Sequence, residues 1–261
     1  MQISIVNLTR TESDAKVARV IRAINRQIRE DFEPYWKRGA TLRLAGIGGA
    51  MSPTRAQDVR GDAVIYLWGS LADVPDALSL HAETNFGLSH GFVFTKISDR
   101  LGEDWSVTLS HEAIELVGDA NTNVLAAGPH PDDPAKLVFH WYELCDAVQD
   151  ESYEVDGVAV SNFVLPLYFA IGEQAGLKND FLSTRHGGKT LRSFGVNPGS
   201  YVGFFDPRSG SEETFSMRGD DRARERFEIK QSIDRRLLRA QRHSRAVERL
   251  KPLSAKEWCL P

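Results

Sequence analysis

The sequence predicts an α+β fold: a single domain on a mixed β-sheet, with a charged, basic helical extension at its C-terminal end. Three observations predict it. Short β-branched and aromatic runs alternate with amphipathic helical patterns. No internal repeat or clean linker divides the 261 residues, a length that suits one large domain or two small ones. Charge is also unevenly spread. Residues 222–251 hold eleven Lys/Arg against four Asp/Glu, so this stretch is basic by seven charges. With a net charge of −4, the rest of the chain is acidic by eleven. The expected organisation is a chemistry-bearing domain over 1–206 and a basic helical extension over 207–261.

The chain opens with a strand-like run, Met1 to Leu8. Thr11 to Glu30 then reads as an amphipathic helix, because Val17, Val20, Ile21, Ile24 and Ile28 repeat at three and four residues. Thr11 or Ser13 can cap its start, and Pro34 lies just past its expected end. TLRLAGIG (41–48), AVIYLWG (63–69) and GFVFTKI (91–97) read as strands. From Asp104 or Ser106 the pattern is helical through Val117, with Gly118 as the expected stop. KLVFHWYELCDAV (136–148) fits strand and helix equally well. VDGVAVSNFV (155–164) reads as a hairpin turned at Asp156-Gly157, and Tyr201 to Phe205 as a late strand.

The 41% hydrophobic and 26% charged content is that of an ordinary globular domain, which excludes collagenous and low-complexity classes. No stretch approaches the roughly 18 consecutive apolar residues of a membrane span. The N-terminus lacks a signal-peptide pattern. Two cysteines, Cys145 and Cys259, are too few for a disulfide scaffold. A cytoplasmic protein with no membrane partner is therefore expected.

The chemistry centres on His111-Glu112-Ala113-Ile114-Glu115. Residues four apart share one helix face, so His111 and Glu115 can bind one metal ion together. Glu112 is rotated about 100° from that face, off the metal but close to a water held there. This is the logic of the H-E-x-x-H helix, whose Glu is a general base, with Glu115 in the second His position. The apolar residues around the pair make a merely solvated charged surface less suitable, since buried charge needs a partner. Catalytic zinc takes three protein ligands and a water. Glu143 and Asp146 are the leading candidates for the third. In a helical segment they share a face, with Glu143 as ligand and Asp146 orienting the His111 ring. Asp119 and His140 are the alternatives. Ligand type admits manganese or iron as well as zinc.

SVTLSHEAIELVGDA, YELCDAV, DGVAVSNFVLPLYF and GSYVGFFD together resemble a sparsely characterised bacterial family of zincin-like, gluzincin-type (HExxE) metallopeptidases. The likeness reaches back to LHAETNFGLSHGFVFTK and the first strand and helix, covers most of 1–206, and leaves the basic extension outside. It implies a zincin-like fold over 1–206 and a peptide or amide substrate. It also implies one zinc on His111, Glu115 and Glu143, with Glu112 as general base. The sequence departs from the family pattern at Ala120 and Ala147, where Pro is usual, and at Ala82, where an acid is usual.

His81, His90, Tyr142 and Tyr201 are candidates for holding a developing oxyanion or substrate. Cys145 has no basic activator in the sequence and is not expected to be a nucleophile. The arginines at 235, 236, 239, 242, 245 and 249 lack interleaved aromatics, so nucleic acid is not the expected partner. A metal-dependent peptidase or amide hydrolase ranks first. A non-catalytic zincin-fold binding module comes next, then an anion- or nucleic-acid-binding protein using the basic extension.

Overall fold

The computed structural model describes residues 1–9, 11–45, 61–69, 89–121, 123–172, 177–217 and 219. The basic extension beyond 220 and His81 lie outside the described residues.

The chain is α+β, as the sequence predicts, but its strands form separate parallel and antiparallel sheets rather than one mixed sheet. Strands β1 (Gln2–Asn7), β2 (Thr41–Leu44), β3 (Ala63–Trp68) and β4 (Ser89–Phe94) make a parallel sheet in the order β2-β1-β3-β4. Side chains alternate across it. Ile3, Ile5, Leu42, Ala63, Ile65, Leu67 and Val93 join the main core. Val6, Val64, Tyr66 and Trp68 pack on the other face with Phe92 and Phe94 in a row of stacked rings. All of β3 is buried, which explains its unbroken apolar run.

Helix α1 (Asp14–Gln27) covers the main-core face. Ser13 caps it, its Oγ accepting from Lys16 N at 3.2 Å. The helical path does not end near Glu30. A single π turn, Ile28–Phe32, leads into α2 (Glu33–Trp36), and Lys37 at φ 55° ends it. Pro34 thus sits in the opening turn of α2 rather than beyond a helix end; that position suits a residue without N–H. The run 91–97 also divides: β4 stops at Phe94, and Thr95–Arg100 forms the short helix α3.

Helix α4 (Trp105–Gly118) is central, with every residue except Thr108 buried. It packs against β4 on one side. On the other lies the hairpin of β7 (Ser152–Val155) and β8 (Val158–Ser161). That hairpin turns at Asp156-Gly157, both at positive φ, as its sequence requires. A closed polar ring locks α1, α4 and β8 together. Ser110 Oγ donates to Gln27 Oε1 (2.7 Å), Gln27 Nε2 donates to Ser161 O (2.8 Å), and Ser161 N donates to Ser110 Oγ (3.1 Å).

The antiparallel sheet, in the order β10-β9-β6-β5, contains β5 (Leu125–Pro129), β6 (Leu137–Trp141), β9 (Tyr201–Asp206) and β10 (Ser211–Ser216). The 206/207 boundary falls inside the β9–β10 hairpin, so sheet structure continues to Ser216. No helix among the described residues is long and apolar enough to cross a membrane.

Candidate metal centre

Helix α4 presents His111 and Glu115 one turn apart. His111 Nε2 lies 2.9 Å from Glu115 Oε1 and 3.3 Å from Asp146 Oδ1. All three residues are nearly inaccessible, at 3–5% exposure. Asp146 comes from the segment after β6, which is strand through Trp141 and then turns, closing with a 3-10 turn over Asp146–Val148. The helical spacing expected of Glu143 and Asp146 is therefore not how they meet. The turn itself delivers them.

Two groups of donor atoms result, with the atoms of each group within 4.8 Å of one another. His111, Glu115 and Cys145 form one, and Glu115, Glu143 and Asp146 the other. Asp146 touches the same His111 nitrogen that faces Glu115, rather than supporting the ring from behind. Cys145, fully buried with Sγ 3.9 Å from His111 O, is a donor that sequence reasoning considered only as a nucleophile. Its signal was present: Glu143-Leu144-Cys145-Asp146 carries three metal-binding side chains in four residues.

The close approach of this turn to α4 depends on Gly118. A Cβ there would lie 2.4 Å from Leu144 Cδ1. Gly118 is thus the last residue of the helix, required for packing, and the C-cap is Asp119 at φ −149°. Arg38 Nη1 donates to Gly118 O at 2.9 Å, placing a cation at the negative end of the helix. No sequence signal pointed to Arg38, because the contact joins residues 80 apart.

Glu112 is 5% exposed and belongs to neither donor group. Its carboxylate lies over β4, where a Cβ on Gly91 would sit 3.4 Å from Glu112 Oε2.

The remaining candidates stand elsewhere. Asp119 Oδ2 accepts from Val124 N at 2.8 Å and shapes the turn after α4. His140 Nε2 bonds Pro129 O at 2.8 Å, with its ring against Phe194 and Phe204. Burial holds its pKa below the usual histidine value. Neither residue joins a donor group. Tyr142 stacks on Phe169 with centroids 4.3 Å apart, and burial pushes its hydroxyl pKa up. His90 alternates with Gly91, so it faces away from α4 and meets Phe92 edge-on. Tyr201 begins β9, half-buried. A cleft at the start of α4, lined by Glu103, Asp104, Asp150 and Glu151 among others, contains none of the donors.

Compared with known proteins, the chain matches no family model, no curated protein and no solved structure.

Proposed function

We propose that the chain is a zincin-like, zinc-dependent peptidase or amide hydrolase. One observation carries the reading. A fully packed helix brings His111 and Glu115 to 2.9 Å beside the donors of the 143–146 turn, while the adjacent Glu112 is buried outside both donor groups. The donor chemistry fits zinc, which accepts imidazole nitrogen, carboxylate oxygen and thiolate sulfur. His111 and Glu115 would hold the ion, with further donors available on the turn from Glu143, Cys145 and Asp146. Bound zinc polarises a carbonyl and lowers the pKa of a water. Glu112, buried beside the donors, would be the group that accepts a proton from the attacking water and donates one to the leaving amine.

The Glu112→Gln variant tests this reading. It keeps the side chain's size but loses the proton acceptor. Metal content and thermal stability should match the parent, with metal-dependent turnover of a peptide and amide library down by about 10²–10⁴-fold. Unchanged turnover removes Glu112 from the mechanism.

The burial of the centre favours a second reading, a metal-holding module without catalysis. Full metal loading with no turnover across the library decides for it.

A further inference from the structure

We propose that Cys145 Sγ is the third protein ligand of this centre, completing with His111 and Glu115 a nitrogen, oxygen and sulfur set that takes a zinc-type ion rather than manganese or magnesium. The inference rests on the reading of the site as a metal centre and deepens it, fixing the third donor and with it the class of ion.

The convergence of atoms decides between the donors of the turn. The donor atoms of His111, Glu115 and Cys145 all lie within 4.8 Å of one another. Glu143 converges with Glu115 and Asp146, and not with His111. An ion that takes the His111 nitrogen therefore has the sulfur, rather than Glu143, as its neighbour. Asp146 Oδ1 stands 3.3 Å from the same nitrogen, but Asp146 converges with Glu115 and Glu143 rather than with the His111–Glu115 pair. Zinc bonds nitrogen and oxygen at about 2.0–2.2 Å and sulfur at about 2.3 Å, so donors at tetrahedral corners stand about 3.4–3.6 Å apart. His111 Nε2 and Glu115 Oε1, at 2.9 Å, need to separate by about 0.5 Å to reach that spacing.

The backbone holds the sulfur in place. Leu144 packs against Gly118 at the end of α4, where a Cβ would lie 2.4 Å from Leu144 Cδ1. Leu144 O accepts from Val164 N at 2.7 Å and Cys145 O from Val148 N at 3.1 Å, so the turn is tied on both sides of Cys145. Its Sγ is thereby turned toward α4, 3.9 Å from His111 O, with no exposure to solvent. Reactive cysteines are partly exposed, whereas a ligand atom needs no access to solvent. Soft thiolate selects zinc, while magnesium and manganese favour oxygen donors alone.

Cobalt is the probe, because it occupies zinc sites and reports a bound thiolate by a sulfur-to-metal charge-transfer band. In the whole chain, Cys259→Ser leaves Cys145 as the only thiol. Stripped with chelator and reloaded with cobalt, this variant should bind one ion per chain and show the band. Glu143→Gln should keep the band. Cys145→Ser should lose it, with circular dichroism confirming the fold. Zinc should displace the cobalt and bleach the band, and manganese should not. Cobalt bound without the band in Cys259→Ser overturns the inference, gives the third place to a carboxylate and leaves the metal-centre reading intact. Loss of the band in Glu143→Gln also overturns it. No bound cobalt in the parent protein overturns both.

Discussion

Asp180 shows how one buried group leaves a pH signature. It is 1% exposed, and its Oδ2 accepts from Ser183 N (2.7 Å) and Asn162 Nδ2 (3.0 Å). Its Oδ1 has no hydrogen-bond partner among the described residues. Burial pushes its pKa above the ordinary carboxylate value, outweighing the two hydrogen bonds, and nearby Glu151 adds to the rise. The folded protein therefore holds this proton more tightly than the unfolded chain. The contribution to stability is largest in acid and falls as pH rises from the ordinary value through the folded one. Asp180→Asn removes the titration and keeps an oxygen for both donors. Thermal melts should show the variant gaining on the parent as pH rises above the ordinary carboxylate value of about 4. A difference in melting temperature that is flat with pH would refute this. Nothing in the sequence marks Asp180, because its environment is built by residues that only the fold brings together. The HExxE pair was legible because both ends lie on one helix. Cys145 is signalled only by its acidic neighbours Glu143 and Asp146, and which side chains it stands beside is set by the fold.

At the scale of elements, the legible parts have a period or a turn chemistry of their own. The β7–β8 hairpin is announced by Asp156-Gly157, and α1 by its apolar spacing. The misread parts are junctions. Helix α3 has six residues, too few for a periodic pattern, and continues an apolar run that reads as strand. The segment 136–148 is strand and then turn, so neither template fits its whole length. The Gln27–Ser110–Ser161 ring is another junction, and its cost can be measured. Ser110→Ala leaves both Gln27 Oε1 and Ser161 N without their partner at a site with no exposure. A loss of about 1–3 kcal/mol is expected from denaturant midpoints at constant slope. A smaller change would mean that α1, α4 and β8 are held by apolar packing alone.

Across the molecule, the fold class was legible and the sheet arrangement was not. Strand patterns report which faces are buried but do not report partners, so parallel and antiparallel sheets are indistinguishable until register is known. The donors lie where these layers meet, between a helix enclosed by β4 and the β7–β8 hairpin and a turn leaving the antiparallel sheet. The enclosure of α4 has a further consequence. A helix with one solvent face can open alone, but α4 has thirteen of fourteen residues buried and no such face. Its amides can exchange with deuterium only when the surrounding layers separate, so their protection should equal the free energy of global unfolding, while those of β10, which is largely exposed, exchange by local opening. Faster, local exchange in α4 would contradict this. Among the described elements, the helix that holds His111, Glu112 and Glu115 is thus expected to be the last to come undone.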